Sequence, residues 1–187
     1  MIKLADFVVH EAIICDLRAR SKEEAVREMV DAFHAAGCVG EADREDVIQA
    51  ILRREQLGTT GYDGVAMPEA RHPAVARMVG TIALSRGGVE FDAMNGGPVH
   101  ILFLVVSPPN RPGDFLRAEE IIAWLLRNDD FRDRLRRAGT REEVVGLLAE
   151  SDREFPWESD QEALQEQARE AFREQVRARQ RQDPPPA

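Results

Sequence analysis

Apolar residues recur at helical spacing in two segments of the first third of the chain. Ser21 and Glu24 form a capping box. The segment after the capping box has apolar residues at helical spacing, and Gly37 ends it. The apolar residues are Ala25, Val26, Met29, Val30, Phe33 and Ala36. A second helix is predicted from about Asp43, with Val47, Ile48, Ile51 and Leu52 on its apolar side. Both segments are polar on the other side, which predicts helices that cover one face of a sheet.

The strands of that sheet are predicted from shorter apolar segments. They are His10–Leu17, Met78–Ser85, Val89–Phe91 and Val99–Ser107, with a turn at Arg86–Gly88. Val99–Ser107 is continuously apolar, which is typical of a central strand buried on both faces. His100 interrupts it, and we expect a hydrogen-bonded structural histidine there, with a ligand-binding histidine as the alternative.

The remainder of the domain is predicted to be helical. The breaker segment Pro108–Gly113 precedes a helix from Asp114, Asn128 caps a short helix, and Thr140 with Glu143 caps a last one. The first of these helices is predicted to turn Leu116, Ile121, Ile122, Leu125 and Leu126 inward. The order of elements predicts an α/β fold, a mixed central β-sheet sandwiched by helices, over residues 1–150.

Residues 151–187 differ in composition and are predicted to form a linker, a polar helix and a Pro-rich end. Ser159 and Glu162 form a capping box, and the helix after it has a narrow apolar stripe at Leu164, Ala168, Phe172 and Val176. This C-terminal helical extension either packs on the domain or binds a partner. If that partner is a second copy of the chain, the protein is a homo-oligomer.

Composition excludes several classes of function. A net charge of −9 argues against nucleic acid as a partner. No apolar run reaches transmembrane length, so we expect no membrane insertion and a cytoplasmic protein. Cys15 and Cys38 offer neither a disulfide framework nor metal-ligand spacing. We expect small core residues at both positions, with a functional thiol as the alternative, and we predict no metal and no cofactor.

The chemistry of the chain is concentrated in residues 53–72, a Gly- and Thr-rich turn flanked by arginines. Its glycines allow positive φ or a close approach of the backbone. Glu69, Arg71 and His72 follow Pro68 and are expected at the edge of a loop. Backbone N–H groups and guanidinium groups suit an anion, so the residues alone predict a phosphate-binding loop.

The segment REQLGTTGYDGVAMPEAR resembles the signature of the enzyme IIA domains of the phosphoenolpyruvate-dependent phosphotransferase system. It is similar to the fructose/mannitol class, which includes the nitrogen-regulatory IIA proteins, and the resemblance covers about residues 4–150. The matching parts are Arg54-Glu55, Thr59-Thr60-Gly61 and Gly64 to Pro68. The resemblance implies an α/β sandwich, and it implies that Arg54, Thr60 and Gly61 surround a phosphohistidine.

The chain departs from that family at the phosphoacceptor. The resemblance places Glu69 where the family has its phosphorylated histidine, and Phe115 where many members have a second one. A neutral imidazole is a nucleophile near pH 7, whereas a carboxylate needs other chemistry to relay a phosphoryl group.

Three interpretations of Glu69 follow. It is a fixed negative charge in a regulatory module that no longer relays phosphate, or His72 has become the acceptor of an active phosphocarrier, or Glu69 is an ordinary surface ion-pair partner. With no phosphate to hold, Glu69 is predicted to contact Arg54 or Arg71. The resemblance implies a protein partner, such as a phosphocarrier protein, a kinase or a transporter. An unrelated phosphate- or ligand-binding domain on the same fold is a further alternative.

Overall fold

A computed structural model describes residues 3–154 of the 187-residue chain. The helices are α1 Leu4–Phe7, α2 Lys22–Ala35, α3 Glu41–Gln56, α4 Pro112–Arg127, α5 Asp129–Arg137 and α6 Arg141–Glu154, with a 3₁₀ turn at His10–Ala12. The strands are β1 Val65–Ala66, β2 Glu69–Arg71, β3 Val79–Val89 and β4 Val99–Ser107. The predicted polar helix after residue 154 lies outside the described residues.

Strand β4 is the centre of a mixed sheet. It pairs antiparallel with β3 along one edge, from Val79↔Val106 to Val89↔Val99. On the other edge it pairs in parallel with β1 and then with β2. All residues of β4 except His100 are buried, as the continuous apolar run predicted.

Helices cover both faces of this sheet. Alternate residues of β4, Leu102, Leu104 and Val106, belong to one apolar core with the buried sides of α2 and α3. Ile101, Phe103 and Val105 point to the opposite face, where α4 and α5 contact β4. The predicted fold class, a mixed sheet between helices, is confirmed.

Three of the predicted helix caps are present. The Ser21 hydroxyl accepts the Glu24 N–H, and the Glu24 carboxylate accepts the Ser21 N–H. The Asn128 side chain accepts the Phe131 N–H at the start of α5. Thr140 and Glu143 make the reciprocal pair before α6. Helices α3 and α4 each begin two residues before the predicted positions, at Glu41 and Pro112.

Two predictions of strands were wrong. The segment predicted as a strand at His10–Leu17 forms a 3₁₀ turn and then single bridges to β3, such as Ile14↔Ala83. The predicted turn at Arg86–Gly88 is part of one long strand. The register of β3 shifts between Leu84 and Val89, so the extra residues are absorbed as an irregularity in the strand and not as a turn.

Two further predictions concerned the helices near the end of the domain. Leu116 was predicted to face inward but is 60% exposed, because Phe115 and Ala118 take the buried side of α4. Residues 151–154, which were predicted to begin a linker, instead continue α6 to Glu154. Ser151 is buried, and Asp152 accepts the N–H groups of Leu4 and Ala5, which joins α6 to the first helix.

Candidate functional site

The two short strands β1 and β2 hold the end of the 53–72 segment in the sheet. Glu69 pairs with Val105 of β4, and the Pro68 carbonyl accepts the Val105 N–H at 3.1 Å. The expectation of an exposed loop edge was wrong for Glu69 and His72, which are each 7% exposed. Strand pairing places them under neighbouring helices, which a reading of the local sequence could not show.

Glu69 is held by Arg54. The Arg54 Nε donates to Glu69 Oε1 at 2.8 Å, so the predicted Arg54–Glu69 contact is confirmed. A second donor of the same guanidinium, Nη1, is 3.2 Å from the Gly58 carbonyl. Glu69 Oε2 is buried and has no hydrogen-bond donor among the residues that the structure describes. One oxygen of this carboxylate is therefore hydrogen-bonded and the other is not.

A cavity of about 300 Å³ opens beside this pair. It is lined by Ala50, Arg54, Glu69, Ala70, Arg71 and Phe115. The Arg71 guanidinium lies 5.3 Å from the centre of the Phe115 ring, a cation–π contact, so Arg71 stacks on Phe115 instead of pairing with Glu69. The cavity thus brings together four of the residues singled out from the sequence.

Glu119 is a residue of this site that sequence reasoning missed. It lies one helical turn after Phe115, on the side of α4 that faces Glu69. Burial raises the pKa of Glu119, and the nearby Glu69 carboxylate raises it further, while Arg54 and Arg71 act in the opposite direction. The carboxyl group of Glu119 therefore lies next to that of Glu69.

Glu55 orders the turn that precedes β1. It is 3% exposed, and its carboxylate accepts both the hydroxyl of Thr60, at 2.6 Å, and the Thr60 N–H. Lys22 of α2 is 3.4 Å from the same carboxylate. The side chain of Thr60 therefore holds the turn closed. Thr60 and Glu55 were both in the matching segment, but nothing in the sequence pattern separated a turn-forming role from a phosphate-binding one.

Gly61 allows that turn to pack against the segment after β3. A Cβ added at Gly61 would lie 3.1 Å from both Cα and Cβ of Ala93 and 3.2 Å from the Phe91 ring. The Gly61 carbonyl also accepts the Met94 N–H. Gly61 is thus a position of close backbone approach. Its role, and that of Thr60, in binding a phosphoryl group stay predictions.

Both ring nitrogens of His72 are occupied. Nε2 is 3.0 Å from Asp46 Oδ2 of α3, and Nδ1 accepts the Ala74 N–H at 3.1 Å. Nε2 consequently carries the proton that Asp46 accepts, and the lone pair on Nδ1 is engaged. This geometry suits a histidine that anchors β2 to α3. Asp46 gave no signal in the sequence. Transfer of a phosphoryl group to His72 stays a hypothesis.

The other residues considered from the sequence have simpler surroundings. His100 donates from Nδ1 to the Ser85 carbonyl at 2.9 Å, which confirms the expected hydrogen bond. Cys15 and Cys38 are partly buried, and burial is the main cause of a raised pKa at both thiols. The described residues contain no cluster of His, Cys, Asp and Glu that could hold a metal ion. Among them, no helix is both long and apolar enough to cross a membrane.

Comparison with known proteins identifies the family. The family model described as "Phosphoenolpyruvate-dependent sugar phosphotransferase system, EIIA 2" matches residues 6–151. The chain belongs to this family. A nitrogen regulatory protein of Bradyrhizobium diazoefficiens is 36% identical over 148 residues, which are 78% of this chain and 94% of that protein. A fructose-specific EIIA component of Haloferax volcanii is 33% identical over 131 residues, 70% of this chain and 84% of that protein.

Solved structures agree with this assignment. The crystal structure of the nitrogen regulatory protein IIA-Ntr from Neisseria meningitidis matches with a TM-score of 0.70 and 28% identity, over 78% of this chain and 98% of that one. The resemblance inferred from the 53–72 segment is therefore confirmed at the level of the family.

Proposed function

We propose that this enzyme IIA-like protein is a regulatory module that binds another protein and does not relay a phosphoryl group. The observation that carries the proposal is the partly buried ion pair of Arg54 with the buried Glu69. In this proposal Glu69 supplies a permanent negative charge at the position where the resemblance implies a phosphohistidine. The module would then be held in one signalling state.

The charge at Glu69 imitates a phosphoryl group only in part. A carboxylate carries one negative charge and two oxygens, whereas a phosphoryl group approaches two charges and has three acceptor oxygens. Because Glu69 is buried, in this proposal it acts on a partner through Arg54, which it holds beside Arg71 at the same cavity. Glu69 Oε1 binds Arg54, and Arg71 stacks on Phe115 at the edge of the cavity.

Relatives suggest the kind of partner. Several are nitrogen regulatory proteins, which favours regulation over sugar uptake. A mannitol enzyme IIA of Escherichia coli with the same fold has been solved as a complex with phosphorylated enzyme IIB. We accordingly propose a protein partner, of the phosphocarrier, kinase or transporter class, for the surface around the cavity. A cytoplasmic location fits such a partner.

A phosphotransfer assay tests the loss of relay chemistry. The full chain is incubated with phosphoenolpyruvate, enzyme I and the phosphocarrier protein, and intact mass is measured under conditions that preserve N–P bonds. The proposal expects no phosphoryl increment on the wild-type chain. An increment that His72→Asn abolishes would refute the proposal and establish the alternative, an active carrier that uses His72.

Two variants sharpen the result. Glu69→His restores an imidazole beside Arg54, and gain of an increment there would show that only the acceptor is missing. If Glu69→His stays unlabelled, Glu69→His combined with Phe115→His tests whether the second ring is also needed. Pull-down of the phosphocarrier protein with Glu69→Gln addresses the third interpretation. Unchanged capture by that variant would favour Glu69 as an ordinary ion-pair partner.

A further inference from the structure

A second cavity lies on the same sheet, away from Glu69. Its volume is about 430 Å³, and its lining residues are Cys15, Leu84, Ser85, Arg86, His100 and Arg136. His100 and Val105, the partner of Glu69, are five residues apart on β4. That separation is roughly 16 Å along a strand, so the two cavities are separate sites.

Two glycines with positive φ make room for the polar groups of this cavity. Gly64 and Gly88 both have a φ of 79°. A Cβ added at Gly64 would lie 2.7 Å from an Arg136 nitrogen and 4.0 Å from the His100 ring, and one added at Gly88 would lie 3.1 Å from the other side of that ring. A side chain at Gly88 would crowd the imidazole and one at Gly64 would crowd Arg136, so both glycines leave the cavity open.

Two guanidinium groups and an imidazole line this cavity, and none of its lining residues is a carboxylate. In a chain with a net charge of −9, this is an unusual concentration of basic side chains. Acids lie nearby, since Glu142 and Glu143 act on the Cys15 thiol and Asp133 on Arg136. Arg136 Nη1 is 3.7 Å from Asp133 Oδ1, on the exposed side of α5. This distance is too long for a strong hydrogen bond. Arg136 keeps donors available for a ligand.

The arrangement also indicates the shape of the anion. Arg86 comes from β3, His100 from β4 and Arg136 from α5, so polar groups approach the cavity from three elements. A tetrahedral phosphate presents three oxygens in different directions, whereas a carboxylate presents two in one plane. The volume falls in the lower part of the range for small-molecule pockets. It exceeds what a bare phosphate needs.

We propose that this cavity binds the phosphate group of a small phosphate monoester, held by Arg86, His100 and Arg136. His100 Nδ1–H donates to the Ser85 carbonyl, so Nε2 of the neutral ring carries a lone pair; it would accept the proton of a singly protonated phosphate, while the two guanidinium groups donate. The site is independent of the proposed regulatory role of Glu69, because neither cavity shares a lining residue with the other. A phosphate monoester bound in this cavity would regulate the module in addition to its protein partner.

Titration of the full-length protein with glycerol 3-phosphate tests the site. Backbone amide shifts of Ser85, Gly64 and Gly88 are followed by NMR at constant ionic strength, so that general screening does not change. We expect saturable shifts at these amides. Succinate, a dicarboxylate of similar charge, is expected to bind at least tenfold more weakly, and inorganic phosphate shows whether the ester portion contributes.

Variants separate the site from general attraction of anions. Arg86→Gln and Arg136→Gln are each expected to weaken binding at least tenfold. Arg137→Gln is the matched control, since Arg137 is adjacent on α5 but lines a different surface depression, and binding should stay within twofold. The proposal is overturned by the absence of saturable shifts up to about 20 mM ligand. Equal loss in Arg137→Gln, or succinate binding as tightly as the phosphate ester, would overturn it as well.

Discussion

The ion pair between Arg54 and Glu69 offers the sharpest test of the site, through the variant Arg54→Met. Methionine keeps the length and apolar stem of arginine but removes the donor to Glu69 Oε1. Because Oε2 already has no donor among the described residues, both oxygens of a buried carboxylate would then be unpaired.

The magnitude follows from the burial of the two partners. Breaking a fully buried pair costs about 3–5 kcal/mol, and an exposed pair contributes below about 1 kcal/mol. The Glu69 side chain is 9% exposed and that of Arg54 is 41% exposed, so the pair lies between these limits. We expect Arg54→Met to lower the free energy of unfolding by about 2 kcal/mol. For a domain of this size that corresponds to a fall in Tm of about 4–8 °C.

Glu69→Gln is the matched variant. It removes the buried charge and leaves Arg54 free to be hydrated, so its cost should be below about 1 kcal/mol. In the double variant Arg54→Met/Glu69→Gln no buried charge remains unpaired, and the loss should be smaller than that of Arg54→Met alone. Urea unfolding at pH 7, followed by circular dichroism, gives all three values. An Arg54→Met variant within about 0.5 kcal/mol of wild type would contradict this account.

Three other measurements test neighbouring features. The raised pKa of Glu119 comes mainly from burial, so the folded state loses stability as pH rises from the ordinary value of 4.5 towards the raised one, and Glu119→Gln should raise Tm at pH 7 but not at pH 3. Gly61→Ala should destabilise by about 1–3 kcal/mol in urea unfolding, because its methyl group meets the Ala93 backbone; a neutral effect would show that the turn can shift. Cys15 and Cys38 should react with a thiol reagent slowly at pH 7 when folded and rapidly in urea, and fast reaction of the folded protein would count against buried, protonated thiols.

The helices of this protein were predictable because their signals are local. A capping box fixes a helix start within four residues, as Ser21 with Glu24 and Thr140 with Glu143 show. The central strand was predictable for a similar reason, since a continuous apolar run needs cover on both faces. Leu116 was misplaced because a neighbour one position earlier, Phe115, took the buried side of α4.

The site was predictable in its members but not in its surroundings. The sequence motif identified Arg54 and Glu69, and charge predicted a contact of Glu69 with either Arg54 or Arg71. Burial of Glu69 depends on β2 pairing with β4 and on α4 packing above it, contacts between residues far apart in the chain. Glu119 contributes from that helix, and no local pattern distinguishes it from the many other acids.

The segment before α2 has a consequence for the behaviour of the protein in concentrated solution. Val8 and Ile14 make single bridges to the outer edge of β3, and Ser21 makes one to Glu90 directly after it. The backbone of this eleven-residue strand is therefore not presented to solvent over its whole length. Unpaired edges of that length template association with other chains. Shortening the amino terminus to Ser21 would uncover this edge. We therefore expect the segment from Val8 to Ser21 to limit edge-to-edge association of the protein.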